Sequence, residues 1–376
     1  FENAALNVKY TYFTNGAETY SSTFDVNIAP QSSQEYEIDS LELDRDNHNS
    51  VVFEYFTGDF LIASEQIILS EGKLSADINS DGKTTVKPSE NKLYITFDNG
   101  SMIFDKSTGF ITSYIYKNHE MINSFPLGDF KGFAPAFYRA PLDNDRNICK
   151  YWHKMGLQNT SNICKGSSFT DNGDNIVVTT NIKSLANCIL PVANTQIKYT
   201  IYPNGNILVD VNCLGGGAVK LLPRFGVMLE MPKEYENIKY FGLGEDVNLP
   251  DYKEHTINKI YQTTVDKLKE DYIKPQESAT RCDVRFAEIT NASGFGLRFE
   301  AVSKPFVFSA SHYTSNQWAK AMHRDDLVDL PTTCVNIDSS VLGAGSNACG
   351  PLPDKKDRVG SLSGKKLSFV VKPIGE

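Results

Sequence analysis

The alternation of apolar and polar residues with a period of two runs along the whole chain and limits the folds open to it. Its clearest instance pairs 197–201 with 207–211 across Pro203-Asn204-Gly205, where proline presets φ and glycine accepts a positive φ. Helical signals are few and short, the best being 316–322. No strand–helix alternation typical of a (β/α)8 barrel occurs. The pattern therefore predicts an all-β protein.

The spacing of these segments predicts two regions joined by a linker. Short strands in the first 75 residues indicate an immunoglobulin-like β-sandwich over 1–75, with strands expected at 8–12, 24–28, 36–38, 51–56 and 60–69. The polar stretch 76–91 predicts a linker with room for one edge strand. Long antiparallel strand signals then continue to the end, so we expect 92–376 to form one large β-sandwich.

Composition and missing motifs exclude several classes of function. The formal net charge of -9 argues against a nucleic-acid or an anionic-membrane partner. The seven cysteines form no C-x-x-C pair and the six histidines no H-x-x-x-H spacing, so we expect no metal and no cofactor. No apolar run is long enough for a membrane helix. The start at Phe1 favours a fragment of a soluble protein, with the cytoplasm and the periplasm both open as its compartment.

Acidic clusters are the first candidates for catalysis. Glycoside hydrolysis needs two carboxylates about 5–9.5 Å apart, and 143–145, 245–246 and 325–326 each carry two acidic residues. Aspartate and asparagine also cluster in turns, which is the interpretation we favour. His323 follows the short helix that contains Trp318, and both are candidates for a sugar contact. Alternatively, His323 only interacts favourably, as a cation, with the dipole at the helix C-terminus.

The segment G-F-A-P-A-F-Y-R-A-P-L-D-N-D at 132–145 resembles the F-x-R-A-P-x-D-N-D segment in the C-terminal domain of family 2 β-galactosidases. Further segments resemble the family in its own order, at 151–156, 222–226, 240–251, 272–285, 323–327 and 369–371. Departures occur at Glu245, Val247, Leu249, Tyr252 and Ser278-Ala279. They weaken any inference that the intact enzyme prefers lactose.

The resemblance implies a galactose-mutarotase-like supersandwich over 92–376, preceded by the immunoglobulin-like module. It also implies that the catalytic glutamates and the main metal ligands lie in a barrel upstream of Phe1. No catalytic or metal-binding residue is therefore carried over to this chain. The expected function is a non-catalytic portion of a retaining β-galactosidase. The expected partners are that barrel and a galactose-containing sugar, with a homo-oligomer left open.

In the family, a loop near the chain end contributes one edge of the active site, and it corresponds to 343–351 here. Some members place a tryptophan there that stacks on the aglycone sugar, whereas others have a cysteine, as at Cys349. Asn347 and Cys349 are therefore candidates for the substrate edge, although Cys349 is equally interpreted as a small buried residue. Arg139, Asp143 and Asp145 are interpreted as structural, since arginine pairs bidentately with carboxylates.

Two other functions stay open at this stage. A free-standing carbohydrate-binding module predicts that the chain itself binds galactose. An aldose epimerase is suggested by the shared fold, but we find no histidine pair that matches one, and fold does not imply function.

Overall fold

The computed structural model describes residues 6–29, 31–74, 76, 78, 81–122, 132–345 and 350–375. Antiparallel strands dominate, as the alternation predicts. The helices of this part are short: α1 (Ile148–Met155), α2 (Ser315–Lys320) and 3-10 helices at Asp143–Asp145, Leu157–Asn159, Asp266–Leu268, Arg324–Asp326 and Lys355–Asp357. The predicted all-β class is confirmed.

The first region contains one four-stranded antiparallel sheet in the order β2-β1-β3-β4. Its strands are β1 (Leu6–Thr14), β2 (Ala17–Val26), β3 (Asn49–Thr57) and β4 (Phe60–Ser70). The β1–β2 turn contains Asn15 and Gly16 with φ of 50° and 78°, as the Asn-Gly pair predicts. Tyr10 and Tyr12 belong to an aromatic cluster on one face of this sheet.

The strand predicted at 36–38 is wrong, because this segment has no strand partner among the described residues. It lies across the aromatic face instead and is held by tyrosine hydroxyls. Tyr10 and Tyr20 donate to Asp39 Oδ2 at 2.7 and 2.6 Å, and Tyr12 donates to the Asp39 carbonyl at 2.9 Å. The alternation at 36–38 therefore reflects the packing of Tyr36 on the Phe24 ring and of Ile38 against the cluster.

The remaining strands form three sheets. The first is β5-β6-β7-β8-β9, comprising β5 (Thr85–Pro88), β6 (Lys92–Phe97), β7 (Gly100–Asp105), β8 (Phe110–Tyr116) and β9 (His119–Glu120). The strand β5 is the edge strand for which the predicted linker had room. The domain limits at 75 and 92 themselves stay a prediction.

The second sheet, called the β15–β22 sheet, has the order β10-β15-β22-β21-β18. Its strands are β10 (Ala134–Ala136), β15 (Arg224–Pro232), β18 (Arg281–Val284), β21 (Phe306–Ser311) and β22 (Thr332–Val341).

The third sheet has nine strands in the order β11-β12-β13-β14-β23-β20-β19-β16-β17. They are β11 (Thr160–Asp171), β12 (Ile176–Ala186), β13 (Leu190–Ile201), β14 (Ile207–Gly216), β16 (Asn237–Gly244), β17 (Ile257–Thr264), β19 (Phe286–Thr290), β20 (Gly296–Ala301) and β23 (Lys366–Ile374).

The hairpin predicted across Pro203-Asn204-Gly205 is confirmed in its register. Ile201 pairs with Ile207, and Tyr199 pairs with Val209. These side chains are buried in one core that the three sheets share. Apolar faces of antiparallel sheets bury in this way to remove hydrocarbon surface from water. The large sandwich leaves its loops at the strand ends, where the candidate site lies.

Candidate functional site

The best-defined site among the described residues is the base of the 343–351 loop, which follows β22. Two successive backbone amides, those of Ala344 and Gly345, donate to the carboxylate of Asp251 at 2.7 and 2.9 Å. Each oxygen of Asp251 accepts one of these bonds. Hydrogen bonds to an ionised acceptor are stronger than neutral ones, so this carboxylate clamp holds the loop base in one conformation.

A tight turn positions Asp251. Backbone amides and carbonyls of Leu249 and Tyr252 bond reciprocally at 3.0 and 2.9 Å, which places Asp251 inside the turn. The preceding Asn248 is fully buried and donates to the Leu243 and Asp246 carbonyls at 3.1 and 3.0 Å. Its Oδ1 accepts from the amide of Cys282 at 2.6 Å. The turn is therefore tied to β18, which is a rigid support.

Gly343 makes room for the clamp. A Cβ atom built on this residue would lie 2.4 Å from the Asp251 Cγ atom and 2.4 and 2.6 Å from its carboxylate oxygens. Real Cβ atoms do not approach other atoms so closely. The glycine at 343 is thus required by the close approach of a side chain from another segment.

The segment 139–145, which resembles R-A-P-x-D-N-D, also contacts the base of this loop. Arg139 and Asp145 are buried and form an ion pair at 2.5 Å. Arg139 also donates to the carbonyl of Leu342 at 3.4 Å, and its guanidinium lies 5.7 Å from the Trp152 ring centroid. Asp145 accepts from the amide of Leu142 at 2.8 Å. The structural role of Arg139 and Asp145 stays a prediction, and their buried ion pair is compatible with it.

The neighbours of Asp145 contribute differently. Asp143 offers its backbone amide to Gln276 Oε1 at 2.8 Å. Asn144 Nδ2 donates to the carbonyl of Gly345 at 3.3 Å. The loop base is thus held from two segments distant in sequence. Asn144 and Asp251 both stand inside the segments that carry the resemblance, but neither was predicted to hold the loop base.

The other predicted site residues fall into two groups. Asn347 and Cys349 lie outside the described residues. Trp318 is 5% exposed, donates from Nε1 to Ser311 Oγ at 3.2 Å and contacts Tyr313 edge-on. His323 is exposed, and its amide donates to Asp326 Oδ2 at 2.9 Å. No contact among the described residues joins Trp318 or His323 to 343–345.

No three His, Cys, Asp or Glu residues in the described part of the chain are grouped so that they would hold a metal ion. None of the helices in this part is long and apolar enough to cross a membrane.

Burial raises the pKa of the Cys282 thiol, which packs under the Asp251 turn. This cysteine is therefore a neutral packing group rather than a nucleophile.

The described residues form a large all-β sandwich with a loop whose base is bonded to the Asp251 carboxylate. The profile of the family described as "Beta galactosidase small chain" matches residues 96–371, and the chain belongs to this family. The resemblance inferred from the sequence motifs is therefore confirmed.

Two relatives agree with this assignment. The chain is 29% identical to a β-galactosidase of Actinobacillus pleuropneumoniae and 24% identical to one of Halalkalibacterium halodurans, with 92% of this chain covered in each case. It spans only 34% and 35% of those proteins, which is about a third of their length. A galactose 1-epimerase from Lactobacillus acidophilus matches with a TM-score of 0.47 and 8% identity, over 79% of this chain and all of that one.

Proposed function

We propose that the chain is the non-catalytic C-terminal portion of a retaining β-galactosidase of glycoside hydrolase family 2, and that its 343–351 loop completes the aglycone side of the active site. The observation that carries this proposal is the clamp of Ala344 and Gly345 by Asp251. A binding loop needs a rigid support if it is to present its side chains in one geometry.

The carboxylates around the loop base support a non-catalytic role. Glycoside hydrolysis requires one carboxyl group to act as an acid and a second to act as a nucleophile or base. Asp251 is committed to two backbone amides, and Asp145 is committed to Arg139. Neither is free for proton transfer or for attack on a sugar. We infer that the catalytic pair comes from another part of the intact protein.

The proposed partners are the catalytic part of the intact protein and the sugar that both parts contact. A catalytic barrel would bind the galactose ring, and the loop would contact the sugar on its aglycone side. Asn347 and Cys349 are our candidates for that contact, and Trp318 and His323 remain weaker ones. A cysteine offers no aromatic face, so the aglycone site should stack sugars less strongly than one with tryptophan.

The test is hydrolysis of an aryl β-galactoside by this chain alone and after it is mixed with the catalytic portion of its own protein. We expect no turnover by either part alone and restored turnover in the mixture. Asp251→Ala is expected to lower the restored activity, whereas Asp271→Ala, which changes an aspartate outside the clamp, serves as the matched control. Turnover by this chain alone would overturn the proposal.

A further inference from the structure

A cavity of about 600 Å³ opens on one face of the β15–β22 sheet. The other face of this sheet is apolar and belongs to the shared core, with Val227, Leu229, Val335 and Ile337 fully buried. Residues of alternating position point to the cavity side, among them Met228 and Glu230 of β15 and Asn336 of β22. The volume lies in the range of small-molecule sites.

Glu230 is the unusual residue of this cavity. It is 2% exposed, and within the described part of the chain no ion pair or hydrogen bond involves its carboxyl group. Burial raises the pKa of Glu230 to about 7. A buried carboxyl group without a donor destabilises the fold, and no structural partner accounts for its presence here.

Two further acceptors on the cavity wall are unsatisfied. Asn336 Oδ1 and Gln158 Oε1 are buried, and neither has a hydrogen-bond partner in the described part of the protein. The Asn336 amide nitrogen is already committed to Ser309 Oγ at 3.3 Å. Buried polar atoms in folded proteins are almost always paired. Two unsatisfied acceptors beside the buried carboxyl group of Glu230 therefore favour a ligand with several donors.

The rest of the lining selects the chemistry of that ligand. One part of the wall is apolar and is formed by Phe137, Leu157, Met228 and Pro331. Another part carries hydroxyl groups, those of Thr160, Ser161, Thr314 and Ser315. A sugar has hydroxyl groups that both donate and accept, as well as C–H faces that pack on apolar surface. An ammonium ion has donors only and no apolar face to pack on the hydrocarbon part of the wall.

We propose that this cavity is a binding site for a hexose-sized sugar, separate from the 343–351 loop, with Glu230 accepting hydrogen bonds from the sugar hydroxyl groups. None of the residues that clamp the loop lines the cavity. The proposal therefore does not depend on the function proposed above. It assigns to this chain a sugar contact of its own.

The test is calorimetric titration of the chain with D-galactose as the probe. We expect one site with a dissociation constant of roughly millimolar order. The titration is done at pH 8, above the pKa of about 7 for Glu230, where its carboxyl group is ionised. Glu230→Gln keeps the side-chain shape and should weaken binding about tenfold there, since a charged acceptor becomes a neutral one. Glu234→Gln makes the same change at an exposed position beyond β15 and should leave binding unchanged.

Two further variants keep the result decisive. Ser315→Trp places a large ring at the cavity wall and should abolish binding even if Glu230→Gln does not fold. Asp271→Ala should leave binding unchanged, because Asp271 lies outside both the clamp and the cavity. The proposal is overturned if galactose does not bind, if Glu230→Gln and Ser315→Trp both bind it as the unaltered chain does, or if ethylammonium binds in its place.

Discussion

Gly343→Ala is the sharpest probe of the clamp, because it disturbs Asp251 without changing it. The new Cβ atom would start 2.4 Å from Asp251 Oδ1. To reach an ordinary contact of about 3.4 Å the carboxylate must retreat by about 1 Å. The two hydrogen bonds, now 2.7 and 2.9 Å long, would then exceed the limit for hydrogen bonding.

The expected cost follows from the loss of these two bonds. A hydrogen bond to a charged group contributes about 1.5–3 kcal/mol when buried, but Asp251 is exposed, so we take about 1 kcal/mol for each. The free energy of local opening should fall by about 2 kcal/mol, which lowers amide protection about 30-fold. Hydrogen exchange at Ala344 and Gly345 measures this directly.

The matched control is Gly215→Ala. A Cβ atom at this position meets no atom within 4 Å, and its φ is not in the left-handed region. We expect it to leave exchange at 344 and 345 unchanged. Unaltered protection at these amides in Gly343→Ala would refute the reasoning.

Three further predictions concern buried polar groups. In the folded chain Glu230 keeps its proton up to about pH 7, whereas the unfolded chain releases it above about 4.5, so the folded state binds more protons in this window and the stability falls as pH rises through it. Glu230→Gln should therefore raise the free energy of unfolding by about 2 kcal/mol at pH 8 and by little at pH 4.5; equal gains at both pH values in urea denaturation would contradict this. Arg139→Lys should lower stability by about 3 kcal/mol because lysine cannot replace the planar fork that pairs with buried Asp145, and an unchanged urea midpoint would count against it. Tyr199→Phe should cost nothing, since its buried hydroxyl has no partner in the described part of the chain; a loss above about 1 kcal/mol would show a missed partner.

Much of the fold was predictable, because in an antiparallel sheet with one buried face apolar and polar residues alternate along each strand. The 197–201 and 207–211 strands pair as the alternation predicts, with Tyr199 opposite Val209. The failure at 36–38 has a physical reason. An extended segment packed on an aromatic cluster alternates like a strand, yet its hydrogen bonds go to tyrosine hydroxyls through Asp39.

The candidate site was predictable only in part. Arginine and aspartate at 139 and 145 suggested an ion pair, and six residues of separation brought it within reach. The clamp joins Asp251 to an amide 93 residues away, and no local pattern reveals such a contact. Trp318 was a candidate for a sugar contact, but its indole is buried and bonded to Ser311, which its sequence context does not show.

We propose that the 343–351 loop acts on the aglycone side of an active site completed by another part of the protein. The direct measurement mixes the catalytic portion with the unaltered chain or with Asp251→Ala and compares two quantities, the KM for lactose and the inhibition constant for galactose. We predict that the KM for lactose rises severalfold while inhibition by galactose is unchanged. An equal loss of both, or no change in either, would contradict the account.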